Sequence, residues 1–241
     1  YVRMSHLSAE ERARGVVAAS AGNHAQGVAL AAQMLGIKAT VFMPEGAPIP
    51  KLNATRGYGA EVVFHGAYLD EALAHAIEYA EQTGAVLIHP FDHPDIVAGQ
   101  ATCGLEILAQ APNAASVLVP TGGGGLVAGV ALAIKAHRPD VRVIGVQAEG
   151  AAAYPASLKA GGPVALTSMS TMADGIAVAC PGTVPFAEIA KHVDDMITVS
   201  EESISQALVL LLERAKMVVE PAGAVGVAAI LDHPDRFPTP A

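Results

Sequence analysis

The chain has 241 residues, 52% of them apolar, with 14 Lys and Arg against 23 Asp and Glu and a formal net charge of −9. That length supports one large or two small buried cores, and the acidic balance excludes the basic footprint that nucleic-acid binding requires. Cys103 and Cys180 lack CxxC spacing, which excludes a disulfide framework and a thiolate zinc site and suits a reducing, cytoplasmic setting.

Short β-branched runs alternate with Ala/Leu-rich stretches, the pattern of strand, crossover helix and parallel strand, so an α/β class is expected. In chain order, strands are expected at 15–20, 38–43, 60–64, 86–89, 116–120, 141–147 and 196–199. Several are too apolar to keep one face wet, as in parallel strands covered on both sides. Helices are expected at 23–35, 51–58, 68–83, 94–109, 125–137 and 201–216, where the apolar spacing is helical. Two prolines and two histidines in His89-Pro-Phe-Asp-His-Pro94 mark a domain junction: 15–92 as a small domain, with 1–14 and 93–241 forming a large one. A Gly, Pro, Ser and Thr-rich stretch from 161 to 185 is too long for a plain connection and is expected to be functional.

No apolar run is long enough to span a bilayer, and YVRMSHLSAEERARG is too charged for a signal peptide. The opening on Tyr1 and the closing FPTPA read as the ends of a fragment.

Pro120-Thr-Gly-Gly-Gly-Gly-Leu126 follows an apolar strand and opens an apolar helix. Without Cβ atoms, such backbone can approach a ligand closely and turn several N–H groups toward a phosphate beside a helix N-terminus. The same glycines also suit a tight strand-to-helix turn. The P-loop lysine is missing, and so is the acidic ribose partner of a dinucleotide fingerprint. Ala19-Ser-Ala-Gly-Asn-His-Ala-Gln-Gly27 again joins a strand end to a helix start. Ser20 and Asn23 are good capping residues, and the whole cluster lies where open α/β sheets bind ligands, at a helix N-terminus suited to a carboxylate. The histidines show no metal-ligand spacing, and His89, His93 and His233 each precede proline, where surface or capping roles are expected. Gln100, Thr102 and Glu106 share one helix and read as packing and hydrogen-bonding groups.

The ordered set SAGNHAQG, GQAT with Glu106, GGGGL, Ala173-Asp-Gly-Ile-Ala-Val178, Asp194-Asp-Met-Ile-Thr-Val-Ser200 and Val219-Glu-Pro-Ala-Gly-Ala224 resembles the threonine dehydratase family. That group includes threonine ammonia-lyases and serine racemases among the fold-type II pyridoxal-phosphate enzymes. The resemblance implies two open, twisted, mostly parallel sheets flanked by helices, with pyridoxal 5'-phosphate as cofactor. It implies deamination of L-threonine to 2-oxobutanoate, of L-serine to pyruvate, a place in amino-acid metabolism such as isoleucine biosynthesis, and a homo-oligomer, dimer or tetramer. By the same resemblance, Gly122, Gly123, Gly124, Gly125 and the Leu126 amide hold the cofactor phosphate, Asn23 its phenolic oxygen, and Gly175 lies against its ring. Ser20, Ala21, Gly22 and the neighbourhood of His24 hold the substrate carboxylate. Glu220 matches an acidic residue near the cofactor, and in VEPAGA it equally reads as helix N-terminal charge with proline behind it.

Ala21 stands where serine racemases of the group carry a proton-handling serine, which disfavours racemisation. Glu149 and the Ala153 carbonyl match ligands of a divalent cation in some relatives, but Pro155 replaces the third, leaving a monovalent or weak divalent site as the expectation. The family's cofactor lysine, in an S-F-K-x-R-G-A motif, ends just ahead of the tyrosine that matches Tyr1. The six lysines here, Lys38, Lys51, Lys135, Lys159, Lys191 and Lys216, have no such context, and Lys51 reads as a surface residue at a helix start. The alternatives are another fold-type II enzyme, a threonine synthase or serine racemase, or a noncatalytic phosphate-binding remnant.

Overall fold

The computed structural model describes residues 1–20, 22–47, 49–67 and 69–237. Ala21, placed by resemblance at the substrate carboxylate, lies outside them. By contact the chain divides into Tyr1–Pro90 and Phe91–Ala241. Residues 1–14, expected with the second part, cluster with the first. Met4 is buried there, and Arg14 Nε donates to the Gly84 carbonyl at 2.7 Å.

The first unit carries α1 (Val2–Ser5), α2 (Ala9–Arg14), β1 (Val16–Ala19), α3 (Asn23–Leu35), β2 (Ala39–Met43), α4 (Ile49–Gly57), β3 (Glu61–Phe64), α5 (Leu69–Thr83) and β4 (Val86–Leu87). Its sheet runs β3-β2-β1-β4, every pairing parallel. Parallel neighbours require crossover connections, and α3, α4 and α5 are those crossovers. β1 and β2 are buried along their whole length, as the unbroken apolar runs predict, while edge strand β3 is half open. On one face Val17, Ala19 and Phe42 pack against Ala72 and Ala76 of α5.

The second unit carries α6 (Pro94–Gln110), β5 (Ser116–Pro120), α7 (Gly125–His137), β6 (Arg142–Ala148), α8 (Tyr154–Ala160), α9 (Thr183–His192), β7 (Asp195–Val199), α10 (Glu201–Leu210) and α11 (Pro221–Asp232). The sheet β5-β6-β7 is parallel throughout, with Ser116 opposite Arg142 and Ile144 opposite Asp195. Central β6 is buried except at Arg142, because both faces are covered. One apolar cluster joins Val143 of β6 to Val127, Val130 and Ile134 of α7 and Ile189 of α9. A second joins Ile144 and Val146 to Val225, Ala228 and Ala229 of α11.

Several elements depart from expectation. The helix predicted to run to Lys216 ends at Leu210 and passes through a π-turn at Leu211–Ala215, and Lys216 takes a left-handed φ of 58°. The irregular 161–185 stretch closes early because α9 begins at Thr183. Helix α8 was not read at all, although Pro155 in its first turn and the left-handed Gly161 at its end are start and stop signals. Gln100, Thr102 and Glu106 all lie on α6 as expected, but Thr102 and Glu106 are exposed instead of packed.

Candidate active site

The glycine run leaves the end of β5 and enters α7. Gly124 is the N-cap of α7, at φ 100°, a backbone conformation that residues with a Cβ rarely adopt. The run is also pressed from the protein side. A Cβ at Gly123 would lie 2.5 Å from the Phe91 ring, one at Gly124 1.9 Å from the Tyr154 hydroxyl, and one at Gly122 3.1 Å from Ile176. Backbone this tightly seated has committed carbonyls: Gly123 O accepts from Tyr154 Oη at 3.1 Å and from Gly182 N at 3.1 Å. Its amides are different. Among the described residues no acceptor faces the N–H groups of Gly122, Gly123, Gly124, Gly125 or Leu126, and no side chain caps α7. Buried N–H groups are rarely left unpaired. A row of them at a helix N-terminus, where the dipole favours negative charge, suits a phosphate.

Phe91, Tyr154 and Gln147 were not singled out by motif. Tyr154 is fully buried, and burial, aided by the Asp92 carboxylate, pushes its hydroxyl's pKa up, so the hydroxyl remains a donor. Only the Pro-rich junction around Phe91 and the apolar strand ending in Gln147 hinted at either neighbourhood.

In the first unit, the end of β1 turns into α3 through Ser20. Ser20 is 8% exposed, and its Oγ accepts from Gly22 N at 3.0 Å. Neither Ser20 nor Asn23 caps the helix as expected. The N-cap is Gly22, which has no side chain, and Asn23 is the first helical residue. The α3 N-terminus thus has no side-chain cap, and the dipole of a helix N-terminus favours an anion such as a carboxylate. Lys51, read from sequence as a surface residue, brings its ammonium to 3.8 Å from where a Gly22 Cβ would stand. His24 lies inward instead, with Nε2 donating to the Ile88 carbonyl at 2.8 Å. Burial pushes its pKa down to about 4, against the opposing effect of that hydrogen bond, so His24 is neutral at pH 7.

The sign of this shift sets a pH dependence. The unfolded chain binds the His24 proton near its ordinary pKa of 6.5, and the folded chain does so only near 4. Stability is therefore fully present above about pH 6.5 and declines as pH falls toward 4. The expected loss is at most roughly 3 kcal/mol. Urea unfolding of the wild type and His24→Gln across this range checks it: the variant should show a shallower decline, and parallel curves would contradict the assignment.

Gly175 sits in a 3-10 turn, Asp174–Ile176, where a Cβ would come 3.1 Å from Ala222 and 3.3 Å from Glu220 Oε1. Glu220 is the N-cap of α11 with Pro221 behind it, so it occupies the helix-start position and faces Gly175 as well. Glu149 is exposed at the end of β6. The Ala153 carbonyl accepts from both Ser157 N, at 3.2 Å, and Ser157 Oγ, at 2.7 Å. Among the described residues no group of three or more His, Cys, Asp or Glu side chains is arranged to hold a metal. His93 caps α6 by accepting from Asp95 N at 3.1 Å, and His233 ends α11. No helix among the described residues is long and apolar enough to cross a membrane.

Parallel sheets flanked by helices, with a glycine loop feeding a helix N-terminus, define a fold-type II pyridoxal-phosphate architecture, and the comparisons agree. The family model "Pyridoxal-phosphate dependent enzyme" matches residues 1–240, and the chain belongs to that family. It is 53% identical to the L-threonine ammonia-lyase of Thermotoga maritima over 98% of its own length and 59% of that protein's. The processed form of threonine deaminase isoform 2 from Solanum lycopersicum superposes with a TM-score of 0.94 at 42% identity, covering 98% of this chain and 69% of that one. Maize serine racemase superposes with a TM-score of 0.93 at 36% identity, covering 99% and 72%. The chain thus spans a little under three fifths of the length of the Thermotoga relative.

Proposed function

We propose that this chain supplies much of the site of a pyridoxal-phosphate-dependent dehydratase that deaminates hydroxy amino acids, taking L-threonine to 2-oxobutanoate and ammonia and L-serine to pyruvate and ammonia. The observation that carries it is the row of unaccepted amides from Gly122 to Leu126 at the α7 N-terminus, in a chain that is 53% identical to a protein named L-threonine ammonia-lyase.

When bound, pyridoxal phosphate supplies the electron sink that acidifies the Cα proton and lets the β-hydroxyl leave. The protein's own part is binding and orientation. The glycine amides hold the phosphate dianion without a lysine, and Asn23, first in α3, is assigned to the phenolic oxygen. The N-terminus of α3, with Ser20 beside it, takes the substrate carboxylate, and the Lys51 ammonium adds charge of the right sign near Gly22. His24 holds its turn in place as a neutral donor to Ile88 and moves no proton. Gly175 keeps a side chain from the face assigned to the cofactor ring. A cation at Glu149 and the Ala153 carbonyl, a homo-oligomer and a cytoplasmic setting belong to the same reading.

Borohydride reduction in the presence of pyridoxal phosphate, followed by peptide mapping, is expected to label none of the six lysines of this chain. Stoichiometric labelling at one of them would relocate the covalent anchor. The full-length gene product should release oxo acid from L-threonine or L-serine faster than it interconverts serine enantiomers. Predominant racemisation would remove the argument from Ala21 and favour the racemase alternative.

A further inference from the structure

Beneath the glycine loop lies a set of buried polar side chains, two of which, Tyr154 and Gln147, no motif marks. Tyr154 and Gln147 are 0% exposed and Thr121 is 1% exposed, a depth at which polar groups persist when they are bonded. Their bonds lead to the loop. Tyr154 Oη donates to Gly123 O at 3.1 Å, and Gln147 Nε2 donates to Thr121 O at 3.2 Å. Gln147 Oε1 in turn accepts from Tyr154 N at 2.9 Å, tying the end of β6 to the start of α8.

The geometry of the peptide unit gives these bonds a consequence. In a trans peptide the carbonyl of one residue and the N–H of the next point in opposite directions across one rigid plane. Holding Gly123 O toward Tyr154 aims the Gly124 N–H the other way, away from Tyr154. Holding Thr121 O toward Gln147 does the same for the Gly122 N–H. Glycine needs such restraint, because with no Cβ its peptide planes turn over at little steric cost. Nothing else among the described residues performs this at Thr121 O, while at Gly123 O the Gly182 amide assists.

We propose that Tyr154 and Gln147 are positioning residues that lock two peptide planes of the loop, so that its amides are preorganised for the cofactor's phosphate. The inference rests on the loop being the phosphate cradle, and the test separates the two ideas. In the full-length protein, the ratio of affinities for pyridoxal phosphate and for pyridoxal isolates the phosphate contribution. Tyr154→Phe removes one oxygen and keeps the ring stacked near Phe186. The variant is expected to lower that ratio about tenfold and to shift the 31P resonance of the bound phosphate. Phe186→Leu, which disturbs the same packing without touching the hydrogen bond, should leave both unchanged. If Tyr154→Phe does not fold, Gln147→Met is read in the same way. An unaltered ratio and resonance in Tyr154→Phe, or an equal fall in Phe186→Leu, would overturn the positioning role while leaving the cradle intact. A wild-type protein that binds pyridoxal as tightly as pyridoxal phosphate would overturn both.

Discussion

Gly124→Ala is expected to weaken pyridoxal-phosphate binding about a hundredfold. Two costs combine at this residue. A side chain at φ 100° is strained by roughly 1–2 kcal/mol. The new Cβ would also stand 1.9 Å from the Tyr154 hydroxyl and 2.8 Å from Ile189. Tyr154 is enclosed and cannot swing into water, so either its hydrogen bond to Gly123 breaks or the loop lifts. Losing that bond in a buried setting costs about 1–3 kcal/mol. The total, near 3 kcal/mol, corresponds to two decades in affinity. Cofactor titration followed by absorbance checks it, and binding within threefold of wild type would show that the loop has another conformation available.

Gly129→Ala is expected to destabilise the second unit by about 3 kcal/mol, at the upper end for overpacking. The crossing of α6 and α7 is closed by glycines on both helices. A Cβ at Gly129 would meet Val97 O at 2.4 Å and Ala101 N at 2.6 Å, and one at Gly104 would meet Val130 O at 2.8 Å. These neighbours are backbone, so no rotamer change relieves the clash and the helices must separate. Because α7 begins at the glycine loop proposed to hold the cofactor phosphate, cofactor affinity should fall with stability. Gly27→Ala in α3 is the control: nothing lies within 4 Å of its Cβ position, and replacing a helical glycine by alanine there should be neutral or stabilising by up to about 1 kcal/mol. Urea denaturation of the three proteins compares them. Equal midpoints for wild type and Gly129→Ala would contradict the tight crossing.

Much of the fold was legible because buried parallel strands and their crossover helices write strong local patterns. Helices α3 and α7 match their expected bounds, and β5 does as well, since each is bracketed by glycine, proline or a polar cluster. Patterns failed where tertiary contact decides the outcome. β4 shrinks to Val86–Leu87, which pair with Val16 and Val17 of β1. Ser20 and Asn23 have the chemistry of caps, but the chain turns one residue off, placing Gly22 at the cap and leaving the Ser20 hydroxyl to close the turn. Capping depends on the backbone angles at one residue, which composition does not specify.

By itself, the sequence determined the α/β class, the two glycine-bearing turns at strand ends and, through an ordered set of motifs, the family. These are properties of local spacing and composition, and they survive in one dimension. Only the tertiary structure decided which groups of the loop are taken and which remain open. That Gly123 O is held by Tyr154, 31 residues away in the chain, while the amides beside it have no acceptor among the described residues, follows from how β6 and α8 pack beneath β5 and α7. A glycine run permits many peptide orientations. The buried Tyr154 and Gln147 underneath hold the Gly123 and Thr121 carbonyls in one of them.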